Sequence, residues 1–309
     1  VVAEEPGGSP LSIGELAHRA GVTVKTVRHY SDQGLLPDAG RSAGGHRRYD
    51  PEALDRLRRI RDLRAFGMPL PDVAEALAGG SLERALAGRL AAVGGQLTAL
   101  RWQEAALRAL TEASADQRPA LLRLLGGLPL PPTGDGAVRF WRRQLPRALP
   151  SALRDAVVDA AVPVPPADPE PAQVVGYARL HALTTAGTGG LAERCRRVRR
   201  APAALAGDSD PVALYRGLAE AYALAAAALA AGRPPGPGDA LDSFVAAHAR
   251  AYRRRDSPAF RAGLRAVSAA GEDPRMRAYW RYVDEVTAGG GPTMGAAHDW
   301  LVGALGRDG

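Results

Sequence analysis

The 309-residue chain is predicted to be mainly α-helical, with one small extended hairpin near its N-terminal end. Three observations carry this. Apolar residues recur at helical spacing along most of the sequence. A Gly44-Gly45 turn signal stands between two short arms, Arg41–Ala43 and His46–Tyr49. Proline- and glycine-rich breaks at 126–136, 163–171 and 232–238 cut the remainder into helical segments, and none of these shows a convincing strand alternation.

The first helix starts at Ser12, an N-cap residue, with Glu15 three positions on to complete a capping box. Ile13, Leu16, Ala17 and Ala20 fall on one face, and small Ala17 lets a second helix cross closely. Gly21 sits where the chain turns sharply. Thr23 caps the second helix, in which Val24 and Val27 point inward and Lys25, Thr26, Arg28 and His29 face out. A short helix with such a face after a tight turn suits the major groove of duplex DNA. Gly34-Leu35-Leu36-Pro37 ends that helix. The hairpin that follows carries Arg41, His46, Arg47, Arg48 and Tyr49, residues fitted to phosphates or a minor groove. Asp50 caps a third helix with Pro51 at its first position, and Leu54, Leu57, Ile60, Leu63 and Phe66 form its buried stripe. Gly67 closes it, and Met68–Leu77 make a short fourth helix.

Residues 12 to 78 resemble the N-terminal domain of the MerR family of transcription regulators. The resemblance is carried by Ile13-Gly14-Glu15-Leu16-Ala17, Gly21-Val22, Thr26-Val27-Arg28, Tyr30, Gly34-Leu35-Leu36-Pro37, Arg41, Gly45, Arg47 and Tyr49. Arg61-Asp62-Leu63-Arg64 and Phe66-Gly67 extend it. It implies a winged helix-turn-helix whose second helix meets DNA through Thr26, Arg28 and Tyr30, with wing arginines and a tyrosine clamping the backbone. Two positions depart: His29 precedes Tyr30 where the family has a second tyrosine, and His46 replaces a wing tyrosine. The full set expected at DNA is Ser12, Thr23, Lys25, Thr26, Arg28, His29, Tyr30, Arg41, His46, Arg47, Arg48 and Tyr49.

A long helix follows, over roughly 81–111. Leu86, Leu90, Val93, Leu97, Leu100 and Leu107 sit in an alternating four-three pattern, the signature of a coiled-coil seam, with Glu104 and Thr111 weakening its far end. Two readings are open: packing on the chain's own C-terminal region, or a homodimer seam. The resemblance implies the latter, antiparallel, with a promoter as shared target and RNA polymerase as the enzyme it serves. Gly94-Gly95 lowers helix propensity in mid-course.

Three regions are therefore expected: an 11–78 winged helix-turn-helix DNA-binding domain, an 81–111 dimerisation helix and a 118–309 α-helical effector-binding domain. In the last, helical segments are placed at 137–161, 172–200, 211–231, 239–256, 258–271, 274–288 and 293–305, with Pro146 and Pro150 splitting the first. The stretch from Arg118 through Gly136 is read as linker. Asp168-Pro169 before Tyr177 and Asp273-Pro274 before Tyr282 echo one another, which fits either a duplication or two ordinary helix starts.

Composition bounds the chemistry. Net charge is +7 with a pI near 10.0, which favours a polyanionic partner. Nearly all the basic residues are arginine, and Lys25 is the only lysine. One cysteine, Cys195, excludes an internal disulfide and weighs against a paired-thiolate metal sensor. His181, His248 and His298 are too scattered for a metal site, so no metal and no cofactor is expected. The absence of a long apolar run predicts no membrane span, and Val1–Pro10 lacks a signal-peptide core, so a cytoplasmic protein is expected. No phosphate loop, His-Glu-x-x-His or nucleophile elbow is present, which argues against an enzyme. What remains is a helical domain for a small organic effector, with Trp141, Tyr279, Trp280 and Trp300 as candidate ligand contacts. Arginine-flanked Cys195 keeps a thiol or electrophile sensor open as the alternative, beside a regulator that needs no ligand.

Overall fold

A computed structural model describes residues 9–185, 209–270, 274–287 and 289–307. They form fourteen helices and one small sheet. The chain divides into two compact units at Gln96–Leu97.

In the first unit, α1 (Ile13–Ala20) and α2 (Val24–Asp32) are joined by Gly21, whose φ of 66° is costless only for glycine. Both N-caps form as expected. Ser12 Oγ accepts from Glu15 N at 3.2 Å while Glu15 accepts from Ser12 N at 2.8 Å, and Thr23 Oγ1 accepts from Thr26 N at 3.1 Å. The bonds from Ser12 hold the Glu15 carboxyl below its ordinary pKa. The sheet has three strands, β1 (Leu11–Ser12), β2 (Gly40–Arg41) and β3 (Arg47–Tyr49), in the order β1-β3-β2, all antiparallel. β1 was not expected; it pairs Leu11 with Tyr49 and ties the wing to the start of α1. Helices α3 (Glu52–Ala65) and α4 (Leu70–Leu77) complete the head. Its core is Leu16, Ala17, Ala20, Val27, Leu36, Tyr49 and Leu57, with Ile60, Met68 and Val73 in a smaller cluster.

Several expectations for the head are corrected. Val24 is 39 % exposed because α2 turns its first residue away from α1. Phe66 is 73 % exposed: it lies past the last helical turn of α3, where the buried stripe has run out. Asp50 gives no side-chain cap, and Pro51 itself is the N-cap of α3. Arginines brace the unit by donating to carbonyls that no helix satisfies: Arg56 to Leu35 O at 2.7 Å, Arg61 to Ala20 O at 3.1 Å, Arg89 to Phe66 O at 3.0 Å.

Helix α5 (Leu82–Glu112) is 31 residues long, about 46 Å at 1.5 Å per residue. It is two-faced. Trp102, Ala105, Ala106 and Ala109 are buried. Leu86, Leu90, Val93, Leu97, Leu100 and Leu107 are all exposed, Leu90 at 74 %.

The second unit holds two hydrophobic cores. The first gathers the end of α5, α6 (Arg118–Gly126), α7 (Asp135–Gln144), α8 (Ser151–Ala161), α9 (Pro171–Thr185) and α13 (Pro274–Val286) around Trp102, Phe140, Trp141, Tyr177, Tyr279 and Trp280. The second packs α10 (Pro211–Ala230), α11 (Asp239–Ala251), α12 (Pro258–Ala270) and α14 (Met294–Arg307) around Phe244, Phe260 and Trp300. Helix α6 replaces the first part of the expected linker; Pro119 sits in its first turn, where a missing N–H costs nothing. The split between α7 and α8 falls at Pro146 and Pro150, as expected. Helix α10 is the most apolar stretch among the described residues, with an 18-residue window of mean hydropathy 1.3, but Arg216 and Glu220 interrupt it. Its Gly217, Ala221, Ala225 and Ala228 are buried, and α10 packs on α11 and α14. Cys195 with its arginines, and Asp273 of the Asp-Pro echo, lie outside the described residues.

Candidate nucleic-acid interface and effector pocket

The residues expected at DNA separate into three groups. Lys25, Arg28 and His29 are exposed on α2, with Thr26 half-buried beside them. The Thr26 hydroxyl shares a hydrogen bond with that of Thr23 at 2.9 Å, so both hydroxyls already serve the helix start. Ser12 is likewise committed to its capping box. Tyr30 is half-buried, its ring 5.8 Å from that of His29, and its carbonyl accepts from Leu35 N and Leu36 N.

On the wing, Arg41 and His46 are exposed, and the turn closes by Ser42 N to His46 O and Gly45 N to Ser42 O, both 2.8 Å. Arg47 is engaged within the unit. It donates to Asp32 at 2.7 Å and approaches Asp38 at 3.4 Å, which pins β3 to the end of α2. Arg48 is half-buried. Tyr49 is fully buried, and its hydroxyl meets Ser31 Oγ at 2.9 Å. Tyr49 is therefore a core residue of the head and not part of its outward face. Strand alternation explains this: inside a three-residue strand, Tyr49 and its neighbour Arg48 must point to opposite sides. The outward cationic set is Lys25, Arg28 and Arg41, with His29 and His46 as further hydrogen-bond donors.

The second unit contains a cleft of about 780 Å³. Helices α7, α8, α10, α13 and α14 and the loop before α14 form its wall. Of the four expected ligand contacts, Trp141 and Trp280 line it and Tyr279 and Trp300 do not. Tyr279 is fully buried, and its hydroxyl accepts from Trp141 Nε1 at 2.9 Å and donates to Ala161 O at 2.8 Å. Burial raises its pKa, so it stays a neutral donor. Trp300 belongs to the second core, where its Nε1 donates to Arg233 O at 2.9 Å.

Sequence reading missed most of the wall. Tyr215 and Tyr222 stand seven residues apart on α10, and Met276 and Met294 come from α13 and α14. Tyr222 is bonded to His298 Nδ1 at 3.1 Å, and burial raises its pKa too. The cleft exists because facing helices are floored by small side chains, Ala156 and Ala160 on α8 and Ala219, Ala223 and Ala226 on α10. Alanine spacing was the available signal, but it was masked by the abundance of alanine throughout the chain. Among the described residues no group of three or more His, Cys, Asp or Glu could hold a metal ion.

Comparison with known proteins concerns the head. The family model described as "MerR HTH family regulatory protein" matches residues 11–80. The nodulation protein NolA of Bradyrhizobium elkanii is 48 % identical over 67 residues, 22 % of this chain and 31 % of that protein. The HTH-type transcriptional activator TipA of Streptomyces coelicolor is 52 % identical over 66 residues, 21 % of this chain and 26 % of that protein. Among solved structures, HiNmlR, a MerR family regulator lacking the sensor domain and bound to promoter DNA, is 27 % identical, covering 40 % of this chain and 98 % of that one, at a TM-score of 0.24. The chain spans about a third or less of the length of the two curated relatives, and the match leaves most of the helical unit without a counterpart. Residues 11–80 of this chain are a MerR-family helix-turn-helix domain.

Proposed function

We propose that this protein is a transcription regulator that acts as a homodimer on a near-palindromic promoter, with α2 reading bases and the wing holding phosphates. In this reading the helical unit takes up a small organic ligand and so changes the preference of the dimer for one promoter shape. By the resemblance, the activated dimer untwists an over-long spacer so that RNA polymerase engages. A ligand need only discriminate between two DNA shapes for this; it need not tighten binding. The setting is the cytoplasm, where promoter DNA is found. TipA, matched through the head, is named as a transcriptional activator, which supports a regulator over an enzyme.

The observation that carries the proposal is the exposed stripe on α5. Six large apolar side chains at heptad spacing are exposed, whereas the buried residues of the helix, Trp102, Ala105, Ala106 and Ala109, all lie in its C-terminal third. Burying a leucine is worth about 1.5–3 kcal/mol, so a stripe of this length left open is costly unless a second helix covers it. One head alone also offers few base contacts, and a dimer doubles them. Replacing both Leu97 and Leu100 by Glu should yield a monomer on sedimentation that has lost promoter-specific binding. A double mutant that stays dimeric removes the seam from the proposal. The cleft supports the ligand-dependent form over a regulator that works without one. A thermal-shift screen with metals, cobalamin, antibiotics and lipophilic cations tests that part through stabilisation by mass action.

A further inference from the structure

The cleft in the helical unit has a charge pattern at odds with the rest of the chain. Lys and Arg make up 40 of 309 residues, yet among the described residues none lines the cleft. Among the described residues its one carboxylate is Asp159, exposed on α8 one helical turn from the floor alanine Ala156 and adjacent to Ala160. Among the described residues the Asp159 carboxylate has no ion pair and no hydrogen-bond partner. The remaining wall is mostly aliphatic and aromatic, with indoles from Trp141 and Trp280, phenols from Tyr215 and Tyr222 and two methionine thioethers; its other polar side chains are Thr287, Thr293 and His298, whose Nδ1 is hydrogen-bonded to Tyr222. Trp141 and Trp280 stand with ring centroids 5.4 Å apart and tilted by 43°, and both line the cleft although each is largely buried.

These features select by charge. An anionic ligand would leave water for a site that offers no arginine or lysine and would face a carboxylate, a strongly unfavourable exchange. A cation meets the opposite conditions: aromatic faces attract it through their quadrupoles, and a nearby carboxylate is open to it. Thioethers are soft and polarisable and adapt to planar organic surfaces. The volume, about 780 Å³, lies within the range of roughly 300–1,000 Å³ usual for drug-sized ligands.

We infer that the cleft is a binding site for a lipophilic organic cation, its apolar body lying between the alanine floors of α8 and α10 against Trp141 and Trp280, and its charge turned to Asp159. This rests on the reading of the helical unit as the effector-binding part and names the chemistry of its ligand. Asp159 is the specificity-determining residue, and the aromatic wall supplies most of the affinity.

Three probes of similar bulk test this on the full chain by calorimetry and tryptophan fluorescence: tetraphenylphosphonium, its isosteric anion tetraphenylborate, and neutral triphenylphosphine oxide. Tetraphenylphosphonium should bind and quench Trp emission, with tetraphenylborate at least tenfold weaker. Asp159→Asn should weaken the cation by roughly fivefold, the scale of one exposed charge pair, and leave the neutral probe unchanged. Ala223→Trp fills the cleft from an exposed floor position, so it should abolish binding while circular dichroism and melting temperature are retained. Equal binding of both ions, or no effect of Asp159→Asn, overturns the cation assignment but leaves an effector cleft in place. Binding of the neutral probe alone does the same. Failure of every probe to bind, or undiminished binding in a folded Ala223→Trp protein, overturns the cleft as a site and with it the structural support for an effector.

Discussion

Trp141 donates its indole N–H to the hydroxyl of Tyr279 at 2.9 Å, and Tyr279 in turn donates to the carbonyl of Ala161. One buried relay thus joins α7, α13 and the end of α8, the three helices that carry Trp141, Trp280 and Asp159. The wall of the cleft is set by a core hydrogen-bond chain, and Tyr279 is its middle member. Tyr279→Phe should therefore act on stability. It leaves the Trp141 N–H and the Ala161 carbonyl buried without a partner, at a cost of about 1–3 kcal/mol. Urea unfolding read by tryptophan emission measures this, and an unchanged midpoint would show the relay to be dispensable.

Gly217 lets α10 and α11 approach closely. A Cβ built there would lie 2.6 Å from the Cβ of Ala247 and 3.1 Å from its Cα, atoms that cannot swing aside. Gly217→Ala should destabilise the protein by about 1–3 kcal/mol despite the better helix propensity of alanine. Gly88 on α5 has open space around it, so Gly88→Ala should stabilise by up to about 1 kcal/mol. Thermal denaturation of the two variants should move in opposite directions. A shift in the same direction would mean that the helix contact yields more easily than its geometry indicates.

The two wing arginines should behave differently. Arg41 is exposed, whereas Arg47 holds Asp32 and Asp38. Arg41→Ala should lower the slope of log K against log salt by about one phosphate contact without altering the fold. Arg47→Ala should also release the wing from α2, seen as faster amide exchange at Arg41 and Arg48. Fluorescence anisotropy across a salt series, with exchange on the free protein, separates the two. Identical behaviour of both variants would refute the division.

His248 gives the second unit a pH dependence. Burial lowers its pKa below the ordinary 6.5, outweighing the opposing bond to Phe244 O at 2.9 Å, and nearby His298 lowers it further. The folded state then binds fewer protons than the unfolded state in the interval below 6.5, so stability rises with pH there. The contribution is complete above about pH 6.5 and is lost as pH falls from that value toward the folded pKa. The melting temperature should drop between pH 7 and 5, and His248→Gln should flatten the drop. A wild-type protein as stable at pH 5 as at pH 7 would contradict the assignment.

The sequence by itself determined what is local. Ser12 and Glu15, Thr23, Gly21 and the Gly44-Gly45 turn specify caps and turns through atoms within a few residues of one another, so the helix-turn-helix and its hairpin were legible, as was the break at Pro146 and Pro150. The heptad on α5 was legible for the same reason, because helical periodicity alone puts Leu86 through Leu107 on one face. Strand β1 was not, since two residues make a strand only where a distant partner, Tyr49, supplies the hydrogen bonds. Tertiary structure alone decided which side chains are spent on the fold. Tyr49, Tyr279 and Trp300 had the chemistry of contact residues, but packing buries them and gives their polar atoms internal partners. It also decided where space remains. Ala156 and Ala160 come to line the same cleft as Ala219 and Ala223 only in the tertiary structure, from positions some sixty residues apart. An alanine shows nothing in sequence of whether its small volume is filled by a neighbouring helix, as beside Gly217, or left open as a cleft.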